Sequence, residues 1–345
     1  MGGEQAPDRV VAAIGVPVRD EEETLPVLLD ALARLDRTGV TAVACFHLDS
    51  CTDDSEAVLR RAAASFPLPL LIESGPMHAD ANAGRARAAA MAQALAATDG
   101  AGGAVLLSTD ADSRPRRDWL RAAVRALAAS DVVAGRIERT GADAHQARVE
   151  RYYDRLHAYR RAIDPVPWDA GGCHHSGGAN LAMRADVYQA LGGFAPLPAG
   201  EDARLLDDAA RAGFRVGREP AMVVETSSRR HGRAPAGLAA SLRALDATGL
   251  PRVQHPAAAA WQFERQAQAR AAFDALDGWA VRERLGAMLG LSADHVLGVA
   301  RDCPNAQAFA MRIVPAAPGS DRLVPLAEAE CALAALEGVL CRGAA

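Results

Sequence analysis

From Val10 to Arg136 the chain alternates short apolar runs with amphipathic stretches, and most of the runs stop at acids, hydroxyls or glycine. The runs at Val10–Val18, Thr41–Leu48, Pro67–Glu73, Ala104–Thr109 and Asp131–Arg136 read as strands. Between them, Leu25, Leu28, Leu29, Leu32 and Leu35 recur at helical spacing, and an alanine-rich helix runs from Gly84 to about Ala97. Near-continuous apolar strands such as Val105–Leu107 are buried on both faces, so helices must cover the sheet on both sides. The expected fold is therefore a doubly wound, mainly parallel α/β sheet. Ligands of such sheets gather beyond the carboxyl ends of the strands. Residues with chemistry are accordingly sought where the runs stop.

The run Val105–Leu107 leads into Asp110, Ala111 and Asp112. Two carboxylates so close repel each other unless a cation or hydrogen-bond donors compensate, so the pair suits a hard divalent metal. The alternative is a helix cap, with Asp112 or Ser113 opening a helix near Pro115. Asp49 ends the second strand, where Thr52 or Asp53 can cap the helix that follows; Asp49 is then free to accept from a nucleobase N–H. Arg19 and Glu21, after the first strand, could grip a nucleotide or simply complement a helix start. Arg85 and Arg87 open the alanine-rich helix and form either an anion site or a solvated face.

A charged helix over His145–Ile163 carries Tyr152, Tyr153 and Tyr159, and Trp168–Asn180 is a glycine-rich loop holding His174 and His175. Leu181–Arg184 reads as a strand, and Glu201 and Asp202 open a helix, as caps or with one of them as a general base. Arg215–Val216 and Ala221–Thr226 read as two further strands, the second followed by Arg229, Arg230 and His231. That histidine could complete a metal site already supplied with carboxylates. From Pro235 onward the chain is helical in texture, with Ala308–Val314 as a strand or helix and Leu326–Leu340 as an amphipathic helix.

Composition narrows the function classes. In 345 residues the formal charge is −5, with arginine scattered and no basic stripe, which speaks against nucleic acid as a partner. No run approaches the roughly 20 apolar residues of a membrane span, and residues 1–9 are too polar for a signal sequence and read as a flexible terminus. A cytoplasmic protein is expected. Cys45, Cys51, Cys173, Cys303, Cys331 and Cys341 have no zinc or disulfide spacing and should be reduced thiols. The chain has no lysine, which removes Schiff-base chemistry and the Walker lysine. The first turn lacks Gly-x-Gly-x-x-Gly, so a dehydrogenase is not expected.

Taken together the motifs resemble family 2 glycosyltransferases of the GT-A fold. Pro17-Val18-Arg19-Asp20-Glu21 matches that family's Pro-x-x-Asn-Glu, and Asp49-Ser50-Cys51-Thr52-Asp53 its Asp-x-x-Ser/Thr-Asp. Asp110-Ala111-Asp112 matches Asp-x-Asp and Glu201-Asp202 matches Glu-Asp, while Gly178–Arg184 and Gly192-Gly193-Phe194 look like the acceptor-side segment. Asp20 stands where asparagine is usual, and Gln-x-x-Arg-Trp is missing, which argues against a processive synthase.

The resemblance implies a GT-A domain over 10–235, with a nucleotide-binding half (10–136) and an acceptor-side half (137–235), then a mostly helical region over 236–345. It implies that Pro17, Val18, Arg19, Glu21, Asp49 and Ser50 line the nucleotide pocket, with Arg85 or Arg87 assisting the phosphates. Asp110 would contact the ribose or a metal-bound water, Ala111 would be among the substrate-binding residues, and Asp112 and His231 would hold Mg2+ or Mn2+, with Arg229 next to them. Asn180 and Glu201 would serve the acceptor side, with Asp202 as the base of an inverting transfer. The implied substrates are a UDP- or GDP-type sugar and a small or lipid-linked hydroxyl acceptor.

Arg229-x-His231 and Gly200-Glu201 are also similar to glucosyl-3-phosphoglycerate synthases, which retain configuration, so the stereochemical outcome stays open. A sugar nucleotidyltransferase and a non-catalytic nucleotide-sugar-binding module are the alternatives from other classes. Homo-oligomer formation is left open as well.

Overall fold

The computed structural model describes residues 9–80, 82–141, 143–230, 232 and 237–343. These fall into two compact units. The first comprises the described part of 1–142 with 175–207 and 216–243; the second comprises 143–174, 208–215 and the described residues from 244 onward.

The first unit is built on an eight-stranded sheet. In chain order its elements are β1 (Val10–Val18), α1 (Leu25–Ala33), β2 (Val40–Leu48), α2 (Ser55–Ala63), β3 (Leu70–Ser74), α3 (Ala83–Ala97), β4 (Val105–Ser108), β5 (Ser113–Pro115), α4 (Trp119–Ala126) and β6 (Val132–Thr140). After α5 (Ala144–Ile163), which belongs to the second unit, come β7 (Leu181–Arg184), α6 (Ala185–Ala190), the first part of α7 (Glu201–Ala212), β8 (Val216–Ser227) and the first part of α8 (Leu238–Thr248). The spatial order is β3-β2-β1-β4-β7-β6-β8-β5. β1 runs parallel to β2 and β4, β2 to β3, and β6 to β8; β7 is antiparallel to both its neighbours, and β5 is antiparallel to β8.

The apolar strands are where the sequence puts them, and burial on both faces explains their continuous runs: Ala12, Ala13, Ile14, Val16, Leu106 and Leu107 are fully buried. Register then decides what meets at the carboxyl edge. Val18 pairs with Leu48, so Arg19 and Asp49 leave the sheet side by side, and Gly15 pairs with Ser108. Gly15 also admits α3 against the sheet, because a Cβ there would lie 2.6 Å from the Met91 sulfur.

Three element expectations are corrected. Ser113–Pro115 forms β5, paired with Thr226–Val224, instead of a helix start; the helix begins at Trp119, after Asp118. Residues 216–227 form one strand instead of two. Its register against β6 slips between Gly135, opposite Glu219, and Arg136, opposite Val223, and this bulge contains Pro220, which has no N–H for the ladder. The Thr52-or-Asp53 cap is also replaced: Asp54 precedes α2, while Asp53 accepts from the Ser55 N–H at 3.0 Å.

The second unit contains α5, β9 (Arg252–Gln254), α9 (Pro256–Ala272), α10 (Trp279–Leu289), α11 (Ala293–Arg301), α12 (Ala306–Ile313), β10 (Leu323–Pro325) and α13 (Leu326–Gly343). One of its cores gathers Leu276, Val296, Phe309 and Ile313, and another Tyr152, Tyr159, Val253, Val324 and Leu333. Ala308–Val314 thus resolves as helix, capped by Asn305 Oδ1, which accepts from the Ala308 N–H at 3.0 Å. None of the six cysteines is joined in a disulfide among the described residues. No helix among the described residues is long and apolar enough to cross a membrane.

Candidate active site

A cleft of about 480 Å³ opens at the carboxyl edge of β1, β2 and β4, and it is lined wholly from the first unit. Pro17, Val18, Arg19, Glu21 and Asp49 form one wall. Asp49 is buried, and its Oδ2 lies 3.3 Å from Arg19 Nη1. Ser50 stands behind this wall instead of in it: at φ 59° its hydroxyl donates to Asp49 Oδ1 (3.3 Å) and accepts from the His78 N–H (2.8 Å). It shapes the loop that carries Asp49. Arg85 is also absent from the lining, because its guanidinium turns to Asp80, meeting the backbone oxygen at 2.9 Å and the carboxylate at 3.3 Å.

The floor is Asp110, Ala111 and Asp112, delivered by β4. Asp112 Oδ2 lies 3.2 Å from Arg229 Nη2, and Arg229 also grips both carboxylate oxygens of Glu21, with Nη1–Oε2 at 2.8 Å. Glu21 accepts a further hydrogen bond from the Thr24 hydroxyl at 2.7 Å. Burial pushes the Asp112 carboxyl up to about 6, and repulsion from Asp110 adds to this, while Arg229 opposes it. Two carboxylates of this kind in one cleft are a hard oxygen donor set suited to Mg2+ or Mn2+. Asp112 belongs to no cluster of three His, Cys, Asp or Glu ligand atoms among the described residues. The other expected metal ligand, His231, lies outside the described residues.

The opposite wall is the start of α7 and the loop before β7. Glu201 and Asp202 follow Gly200, whose φ of 78° sets the turn into the helix. Asp202 Oδ2 accepts from the Gly178 N–H (2.8 Å) and Oδ1 from the Ala203 N–H (2.7 Å), which hold the carboxylate at the cleft. Arg87 lies beneath, with its Nε at 3.0 Å from Glu201 Oε1 and its Nη2 at 3.0 Å from Asp110 Oδ1.

Asn180 is corrected from a binding to an architectural residue. Fully buried and outside the lining, it accepts from the Trp119 indole N–H at 2.7 Å and donates to the carbonyls of Arg136 (2.7 Å) and Met222 (2.8 Å), so both of its N–H groups are held by the protein.

The cleft therefore brings together Pro17, Val18, Arg19, Glu21, Asp49, Arg87, Asp110, Ala111, Asp112, Glu201, Asp202 and Arg229, and leaves out Ser50, Arg85 and Asn180. Sequence reasoning missed Ile137 and Arg139 of β6, Thr226 and Ser227 of β8, and Leu238 and Ser241 of α8. A signal for the first two existed: residues two apart on a strand share a face, but the strand was expected to end at Arg136.

With this geometry in hand, the chain was compared with known proteins. The model of "Glycosyl transferase family 2" matches residues 13–192, more than half of the 345-residue chain. The chain belongs to this family. This decides for a glycosyltransferase over the nucleotidyltransferase and binding-module readings, and the α/β fold is the one the resemblance implied. The match spans Asp49, Asp110 and Asp112 but stops before Glu201 and Asp202.

No curated protein matches the glycosyltransferase. Among solved structures it is similar to the mannosyltransferase PcManGT of Pyrobaculum calidifontis, in complex with GDP-Man and Mn2+, at 20% identity and a TM-score of 0.49, covering 98% of this chain and 81% of that one. It is also similar to S. aureus TarS 1–349 in complex with UDP-GlcNAc, at 15% identity and a TM-score of 0.48, covering 88% and 89%. A third is the glucosyl-3-phosphoglycerate synthase of Mycobacterium tuberculosis with Mn2+, UDP-Glc and phosphoglyceric acid, at 20% identity and a TM-score of 0.45, covering 70% and 81%.

Proposed function

We propose that this glycosyltransferase moves one sugar from a UDP- or GDP-type donor to the hydroxyl of a small or lipid-linked acceptor, with inversion at the anomeric carbon. The observation that carries the reading is that the carboxylates of Asp49, Asp110, Asp112 and Asp202, from three separate segments, line a single cleft. In this reading Asp49 accepts from a base N–H, with Arg19 fixing its orientation. Pro17 and Val18 give the base an apolar wall, and Asp110 lies beside the ribose. Asp112 and His231 would hold Mg2+ or Mn2+, which when bound neutralises charge on the leaving diphosphate. Asp202, held by two backbone N–H groups, takes the acceptor's proton as its oxygen attacks from the face opposite the diphosphate. The C–O bond to the diphosphate breaks as the new glycosidic bond forms.

The test is product stereochemistry together with Asp202→Asn kinetics, using a panel of UDP- and GDP-sugars with Mn2+. Inversion is expected, with kcat reduced about 100-fold or more in the variant and donor binding unchanged. Retention of configuration, or unchanged turnover in Asp202→Asn, removes the base from Asp202.

A further inference from the structure

Arg87 sits on α3 at 6% exposure, and its guanidinium meets groups from three other stretches of chain. Nε donates to Glu201 Oε1, Nη1 to Ser108 Oγ and to the Gly178 carbonyl, and Nη2 reaches Asp110 Oδ1, each at 3.0 Å. The Ser108 hydroxyl closes the ring by donating to the same Gly178 carbonyl at 2.7 Å. The planar fork is thereby directed into protein acceptors, whereas a phosphate ligand needs its N–H groups free to face the cleft.

The Gly178 peptide extends the network. Its carbonyl accepts from Arg87 and its N–H donates to Asp202 Oδ2 at 2.8 Å. Arg87 thus reaches the proposed base by two short routes, through the Gly178 peptide and through Glu201, which adjoins Asp202 in α7. It reaches Asp110 on the donor side directly. Residue 178 is glycine for a matching reason: a Cβ there would lie 2.4 Å from the Arg87 Cζ.

We infer that Arg87 is the positioning residue of the transfer, a buried cation that holds Asp110 and Asp202 in one frame without touching either substrate. This rests on the reading of Asp202 as base and Asp110 as donor contact. Lysine cannot replace it, because a point charge with three donors on a flexible stem cannot meet these acceptors in one plane. Removing the cation alone leaves the buried Glu201 carboxylate without its cation, which threatens folding as well as geometry.

The experiment compares wild type, Arg87→Lys, Gly178→Ala and the charge-compensated double variant R87M/E201Q. Transfer kinetics are measured with Mn2+ and the sugar nucleotide that wild type turns over, and UDP or GDP affinity is measured by calorimetry. Each variant is expected to bind the nucleotide within about threefold of wild type, while kcat per folded molecule falls about 100-fold, the order expected for misplaced reacting groups. Combining R87K with G178A should lose no more than the worse single change, since both act on one contact. A fall in nucleotide affinity matching the fall in kcat makes Arg87 a phosphate ligand and overturns the inference. A kcat within threefold of wild type, whatever happens to the melting temperature, overturns it too. Wild type that transfers no sugar from any donor instead fails the functional reading, and the inference with it.

Discussion

Asp112 is the residue whose surroundings most directly predict a measurable pH effect. Its carboxyl is pushed up to about 6, first by burial and then by Asp110, so the folded state binds its proton more tightly than the unfolded chain does. This group therefore costs the metal-free protein stability as pH rises through 6 and returns it as pH falls. A divalent metal needs the ionised form, so proton and metal compete. Mn2+ affinity measured by electron paramagnetic resonance should be flat above pH 7 and fall about tenfold per unit below pH 6; Asp112→Asn should bind Mn2+ weakly at every pH. Asn180 supports a different expectation. Replacing it with alanine removes three buried hydrogen bonds and leaves the Trp119 indole N–H unpaired, which should cost about 3 kcal/mol in denaturant unfolding. Nucleotide affinity of the folded Asn180→Ala protein should stay unchanged, because that side chain does not line the cleft. The motif around Asn180 was legible in the sequence, but its job was not. A short motif gives a residue type and an order along the chain, whereas the choice between ligand and architecture depends on which carbonyls the fold brings within 3 Å.

At the level of elements, strand ends were the most legible feature, because burial on both faces dictates long apolar runs and parallel register then aligns their ends. Val18 opposite Leu48 is enough to set Arg19 beside Asp49. The β6–β8 pair was less legible, since its continuity depends on a bulge around Pro220 that breaks the local pattern. Gly135 shows how tightly that bulge is packed: a Cβ there would lie 2.2 Å from the Met222 carbonyl and 2.4 Å from Asn180 Nδ2. Gly135→Ala is therefore expected to cost about 1–3 kcal/mol by overpacking. Gly102→Ala, which meets nothing within 4 Å, should stay within about 0.5 kcal/mol of wild type in the same urea titration. Equal effects at the two positions would show that the bulge is loosely packed in solution. The cap alternative at Asp112 falls at this scale as well: once Ser113–Pro115 pairs with β8, no helix remains there for Asp112 to cap.

At the scale of the whole molecule, the compact units interleave along the chain, with 143–174 and 208–215 joined to the residues beyond 244. A reading in chain order sees a change of texture after Ile163 and another near 235, but it cannot see which distant helix receives α5. Half of that answer lies in the sequence: Val149, Tyr152, Leu156, Tyr159 and Ile163 recur at three- and four-residue spacing and form one apolar stripe. The partner is α13, which contributes Leu326, Ala329 and Leu333 to the same core. Arg148 pairs with Glu330 and Arg155 with Glu337, one seven-residue step on each helix, so α5 and α13 run side by side in the same direction. Magnitude decides which of these contacts holds the pair. Both ion pairs keep about a third of their side-chain surface in water, so removing them together with R148A/R155A should change stability only slightly, and not at all in high salt. Leu333 is fully buried, and Leu333→Ala should cost about 2–4 kcal/mol irrespective of salt. Hydrogen exchange read on residues 144–163 distinguishes the two: Leu333→Ala should speed exchange there strongly and the double arginine variant only slightly. The reverse ranking would mean that charge, and not the tyrosine stripe, seats this helix.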